Sequence, residues 1–318
     1  MKTAIIGRAV TSVVAILFIS IFSVADVQAW NWGTHAYIDD HLGKSGPFRN
    51  MNEMYGSTAP DLFNYTFDHP ELYAMTHNDF MKVWKAGRLP LDKASAFGFV
   101  SHNDMWGADS TAHHACASCD DESKGYVIKK AELMIFMGLP SELASLYQTY
   151  PGVILEIYHN FVEAGVDILI KQLDPTIGNK LASAALLRSP GFPLLLVRAY
   201  KDDVAKDLKM NSVDAAKFII TAEKEFRKSM ILYGQALAQD NDTAVQLLSE
   251  QLASVAEAFL GAYGINLGKL GITDEQVIEL TKDGIQGAIS VCQDDYQAEI
   301  EGTIKSVRTA LKANGVSY

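Results

Sequence analysis

The sequence predicts an all-α fold built as one domain. From Val127 onward, apolar residues recur at three- and four-residue intervals, the period of a helix face. No alternating strand pattern of useful length occurs in the chain. Neither an internal repeat nor a low-complexity linker divides it, and 318 residues are enough to bury a large core.

Met1–Ala29 reads as a secretory signal peptide: Lys2 and Arg8 are basic, Ala9–Ile21 is apolar, and Val27-Gln28-Ala29 is a small-residue cleavage site. The apolar run is short for a membrane span. Cleavage near Ala29 would give a secreted or periplasmic chain beginning at Trp30, with residues 30–318 as its one domain. The segment NWGTHAYIDDHL then carries His35, and Gly43–Asn50 is expected to be a polar loop. In MYGSTAPDLFNY, Gly56, Ser57 and Pro60 are expected to interrupt any helix, so that a turn presents Asp61. Leu72–Lys85 carries His77, and Ala86–Leu91 is a break. Ala94–Ser101 restarts an apolar helix that feeds His102, Asp104, Asp109, His113 and His114. Asp109 and His113 stand four residues apart, so on a helix they share a face.

Ala115–Tyr126 is expected to be an exposed loop with a local disulfide between Cys116 and Cys119, leaving Cys292 buried and unpaired. Val153–Lys171 is a long helix on which His159 and Glu163 repeat the four-residue spacing. Further helices are expected over Ile177–Arg188, Pro193–Leu208, Ser212–Gln239, Ala244–Tyr263, Thr273–Ser290 and Asp295–Ala313. Ser212 is the expected cap of its helix, and Thr273 with Gln276 opens another. Within Ser189–Tyr200, Phe192 and Leu194–Val197 read as core rather than as an interfacial loop.

The composition is that of a globular protein, 48% hydrophobic and 20% charged. A net charge of −11 excludes a broad basic surface that tracks a phosphate backbone, so no extended nucleic-acid binding is expected. A local phosphate site remains open if metal ions bring the positive charge. Three cysteines are too few for a disulfide-built fold. All 8 histidines lie between His35 and His159, and none follows. Imidazole and carboxylate at such spacings suit zinc, which takes nitrogen and oxygen ligands.

Taken together, Trp30, GTHAYI, GSTAPD, His102 with Asp109 and His113, and the His159–Glu163 pair resemble the zinc-dependent phospholipase C family, whose relatives include the S1/P1 nucleases. The likeness runs from Trp30 to about Asp167. It implies an all-α domain with a trinuclear zinc cleft. One zinc would take Asp61, His77, His102 and Asp109. A second would take the amino nitrogen and carbonyl oxygen of Trp30, His35 and a bridging Asp109. The third would take His113, His159 and Glu163. Asp61 is the implied catalytic carboxylate, and the implied substrate is a phospholipid at a membrane surface, with no stable protein partner evident.

Asp109 follows His102 by seven residues, three more than is usual in that family, as if residues were inserted around Trp106-Gly107. Asp104 is therefore an alternative to Asp109, His69 to His77, and His114 to His113. Two other functions stay open. An S1/P1-type single-strand nuclease would share the zinc cluster, and the Trp30–His35 spacing is closer to that branch. A secreted helical binding protein with structural zinc is the other.

Overall fold

The structure, a computed structural model, describes residues 30–318 apart from 44, 45, 65, 67, 68 and 122. The expected signal peptide, Met1–Ala29, lies outside the described residues. Asn31 caps the first described helix, α1 (Trp32–Leu42), its side-chain oxygen accepting from the Trp32 amide. Helix α2 (Pro47–Thr58) leads through a 3-10 turn (Ala59–Phe63) to α3 (Pro70–Asn78), α4 (Met81–Ala86) and α5 (Pro90–His102). Proline in the first turn of α2, α3 and α5 sits where the missing amide would have had no helical partner. The short helix α6 (Ala108–His113) and then α7 (Tyr126–Met137) and α8 (Ser141–Thr149) precede the long α9 (Pro151–Leu173). The rest comprises α10 (Ile177–Leu187), α11 (Phe192–Asp207), α12 (Ser212–Leu237), α13 (Asn241–Ala262), α14 (Asp274–Cys292) and α15 (Tyr296–Ala313). Among the described residues there is no strand, and one large apolar core unites the helices.

Helix α9 is buried along most of its length and packs against α1, α7 and α14. Burying so long an apolar face supplies the hydrophobic stabilisation that a helix of this length needs in place of propensity alone. At Gly165 a Cβ would stand 2.8 Å from the Ala288 methyl, so the missing side chain lets α14 close on α9. Helices α2 and α5 cross more tightly still. A Cβ at Gly56 would collide with the Ser95 carbonyl oxygen, and one at Gly98 with the Glu53 carbonyl oxygen.

That crossing corrects one expectation. Gly56 and Ser57 do not interrupt a helix; they lie inside α2, where Gly56 serves close approach rather than a turn. Asp61 is presented by the 3-10 turn that follows Thr58. Helix α2 also begins at Pro47, inside the stretch expected as a loop to Asn50. The Leu72–Lys85 segment is two helices, α3 and α4, because the chain turns after Asn78. Asn211, not Ser212, caps α12, accepting from the amides of Val213 and Asp214. The Thr273–Gln276 capping box is present. Cys116 and Cys119 form a disulfide, and Cys292 is buried and free. Phe192, Leu195 and Leu196 are core, whereas Leu194 is exposed. No single described helix is long and apolar enough to cross a membrane.

Candidate metal centre

Six elements bring their polar side chains together. Helix α1 contributes His35, the 3-10 turn Asp61, α3 His77, the end of α5 His102, and α6 both Asp109 and His113; α9 adds His159 and Glu163. His35, His77, His102, Asp109 and Glu163 are each at most 1% exposed. Burying this many ionisable groups is costly unless they are paired or hold a metal.

Two sub-sites surround Asp109. His35 Nε2 lies 3.1 Å from Asp109 Oδ1, and His102 Nε2 lies 2.8 Å from Asp109 Oδ2. His77 Nε2 approaches Asp61 Oδ1 at 3.4 Å and His102 Nε2 at 3.1 Å, while His102 Nε2 stands 3.3 Å from Asp61 Oδ1. Asp109 thus touches both groups, as a bridging carboxylate would. In the third sub-site, His113 Nε2 meets His159 Nε2 at 3.0 Å, and His159 Nε2 meets Glu163 Oε1 at 2.9 Å.

The outer nitrogens of these rings fix what the inner ones can do. His102 Nδ1 faces the Ser57 carbonyl at 2.7 Å, and His77 Nδ1 faces the Tyr73 carbonyl at 3.0 Å. A carbonyl only accepts, so both Nδ1 atoms carry the proton. His113 Nδ1 likewise faces Asp104 Oδ1 at 3.0 Å, and His159 Nδ1 faces Glu156 Oε1 at 3.3 Å. In the neutral rings all four Nε2 atoms therefore present lone pairs, and they face one another in pairs near 3 Å. Two lone pairs at that separation repel unless a proton or a cation lies between them. Imidazoles held by Nδ1–H to carbonyls and carboxylates are the usual outer support of metal-ligating histidines.

The carboxylates agree. Neither oxygen of Asp109 or Glu163 has a well-aligned hydrogen-bond donor, although imidazole nitrogens stand within 3.1 Å. Within each group these nitrogens and oxygens lie within 4.8 Å of one another, close enough to share one ion. Asp61 is different: Oδ2 accepts from Trp32 Nε1 at 3.1 Å and Oδ1 from Asn64 Nδ2 at 2.8 Å.

Charge states follow from burial and neighbours. Burial lowers the His35 imidazole below its ordinary range, and the adjacent His102 adds to this, which keeps His35 neutral. For His102, burial opposes protonation, but the carboxylates of Asp109 and Asp61 outweigh it and raise the ring well above its ordinary range. Burial would lift Asp61, yet His102 and then His77 hold it below the carboxylate range. Glu163 is pushed up to about 8, chiefly by burial.

Each residue expected from sequence has a clear place. Asp109, rather than Asp104, joins His35 and His102. The chain leaves α5 at His102 and restarts at Ala108, so the long spacing is absorbed by a turn rather than by helical rise. Asp104 lies with His113 and His114 instead. His77 is buried in the cluster, whereas His69 is 45% exposed and pairs with Glu71. His113 reaches His159; His114 is 54% exposed. The Trp30 indole is buried and donates to Thr111 Oγ1 at 3.3 Å, docking Trp30 on the helix that carries Asp109 and His113. Each of the groups His35–His102–Asp109, Asp61–His77–His102 and His113–His159–Glu163 could hold a metal ion.

Sequence reasoning passed over several supporting residues. Trp32, Asn64 and the Ser57 carbonyl steady Asp61 and His102. Asp167 accepts from the amides of Gly33 and Thr34, from Thr34 Oγ1 and from the Tyr233 hydroxyl, pinning the start of α1 to α9. Its four-residue step beyond Glu163 was the one available signal. No family model matches the chain, no curated protein matches it, and no solved structure matches it. The functional reading rests on the chemistry of the site.

Proposed function

We propose that this chain is an exported zinc-dependent phosphodiester hydrolase of the phospholipase C type, releasing diacylglycerol and a phosphorylated head group. The observation that carries the reading is the convergence of imidazole Nε2 atoms and carboxylates without aligned donors on three sub-sites, two of which meet at Asp109. Nitrogen and oxygen donors in this ratio suit zinc. Asp61, His77, His102 and Asp109 would hold one ion, His35 and Asp109 with the Trp30 amino nitrogen and carbonyl oxygen a second, and His113, His159 and Glu163 a third. Bound zinc supplies Lewis acidity that lowers the pKa of water and offsets the charge growing on phosphate.

The chain's own groups do the positioning. Asp61, fixed by Trp32 and Asn64 and held ionised, orients water as an acceptor; a carboxylate so far below neutrality is a weak general base. The His113 end borders Asp104 and His114, which are increasingly exposed, so substrate would enter there. A net charge of −11 favours a phospholipid over a long polyanion, as do the GSTAPD element and Glu163, where the nuclease branch more often has Asp. The spacing of Trp30 and His35 favours a nuclease, which is the second reading.

The test is metal analysis of the purified protein, followed by assays with and without a strong chelator on a short-chain phosphatidylcholine analogue and on single-stranded DNA. Metal-dependent cleavage of the lipid alone is expected. Chelator-resistant hydrolysis would overturn the reading, and cleavage of DNA alone would assign the nuclease. Bound zinc with neither activity would leave a structural role.

A further inference from the structure

The segment between α5 and α6, where the chain is longer than the family it resembles, places one carboxylate between two parts of the cluster. Asp104 Oδ1 accepts from His113 Nδ1 at 3.0 Å, and His114 Nε2 lies 3.7 Å from the same oxygen. Asp104 Oδ2 accepts from the Tyr73 hydroxyl at 3.2 Å. The Tyr73 ring in turn stacks on His77, with centroids 3.8 Å apart and planes 19° from parallel, and the Tyr73 carbonyl receives His77 Nδ1. An unbroken chain of contacts therefore runs from His77 through Tyr73 and Asp104 to His113.

We propose that Asp104 is the positioning residue of the third sub-site: it fixes His113 in the Nδ1–H tautomer, and Tyr73 ties it to the His77 side of the cluster. This rests on the proposed metal centre, because orientation of His113 matters only if its Nε2 is a ligand. The alternative tautomer, with the proton on Nε2, would direct that proton at His159 and block a metal. A carboxylate on Nδ1 disfavours that tautomer and makes the ring a stronger donor. Asp104 keeps one oxygen for His113 because the Tyr73 hydroxyl occupies the other. The extra residues of the loop thereby acquire a purpose that spacing alone does not reveal: they carry the carboxylate that orients a histidine four residues beyond Asp109.

The experiment compares wild type, Asp104→Ala, Asp104→Asn and Tyr73→Phe. Zinc binding is followed by competition with a chromophoric chelator, and the tautomers of His113 by nitrogen-15 NMR of the metal-free protein. Asp104→Ala is expected to weaken one zinc equivalent by about 10- to 100-fold and leave the others unchanged, the usual cost of removing such a supporting carboxylate. Asp104→Asn should fall between, since its amide oxygen can still accept from Nδ1. His113 should gain the Nε2–H tautomer in Asp104→Ala, an effect that mere loosening of the loop would not produce. Tyr73→Phe keeps the stacked ring, guards against misfolding as the explanation, and should give a smaller loss confined to the same equivalent. Normal zinc binding in wild type with unchanged affinity and tautomer in Asp104→Ala would overturn this inference and leave the metal centre standing. No zinc binding by wild type would overturn both.

Discussion

Glu163 and Glu223 are both buried glutamates, on different helices, and they are treated in opposite ways. Glu223, on α12, receives two hydrogen bonds from Arg188, at 2.5 and 2.8 Å, and one from the Tyr55 hydroxyl at 2.7 Å. Glu163, on α9, has no aligned donor on either oxygen. The contrast extends to their surroundings. Glu299, on α15, accepts from the Ala117 and Ser118 amides, whereas Asp109 lacks aligned donors as Glu163 does. A buried carboxylate surrounded by donors is architecture. One that meets imidazole nitrogens with no aligned donor has the surroundings of a metal ligand.

Breaking the comparison at its strongest point means Asp109→Ala. With both bridged sub-sites altered, activity should drop to background and metal content should fall by at least one equivalent, measured by elemental analysis. Retention of full metal content would refute the bridging role. The matching change, Glu223→Ala, leaves the largely buried Arg188 guanidinium without its carboxylate and should cost about 3–5 kcal/mol of stability in urea unfolding, with metal content unchanged. A loss of metal there would erase the distinction between the two glutamates.

The acid–base contrast sharpens it. Burial raises Glu163 to about 8, and the Glu163 and Glu156 carboxylates raise His159 well above its ordinary range, so the Glu163–His159 pair keeps a proton at pH 7 in the metal-free protein. A divalent ion must displace that proton, so affinity at the third sub-site should rise as pH increases toward 8 and fall below it. Calorimetry in buffers of different ionisation enthalpy would register the released proton, and an affinity flat from pH 6 to 8 would contradict the assignment. A smaller effect is expected from Asp167→Asn, which leaves buried donors facing an amide nitrogen and should cost about 1–3 kcal/mol. The smallest belongs to His69→Ala: exposed and remote from the cluster, it should leave metal content intact and stability within about 0.5 kcal/mol.

Much of this was legible in the residues. The α9 periodicity, the paired steps Asp109–His113 and His159–Glu163, and the absence of histidine after His159 pointed to the helical class and to the side chains that converge. What stayed hidden depended on tertiary approach. Gly56 reads locally as a breaker, and only the crossing with α5 reveals that it makes room for the Ser95 backbone. Glu223 and Glu163 look equivalent along the chain, since the donors that separate them arrive from residues distant in sequence. Asp104 and Asp109 could not be ranked either, because the turn after His102 sets which carboxylate returns to the histidines.

His159, Glu163 and Asp167 fall on one stripe of α9, and the last of them grips α1. The distance between the third sub-site and the anchor of α1 is thus written in helical pitch rather than in loop length. Inserting a single residue between positions 159 and 167 would swing the anchor about 100° around the axis and carry it away from its amides. This stretch works as a ruler whose graduations cannot be respaced.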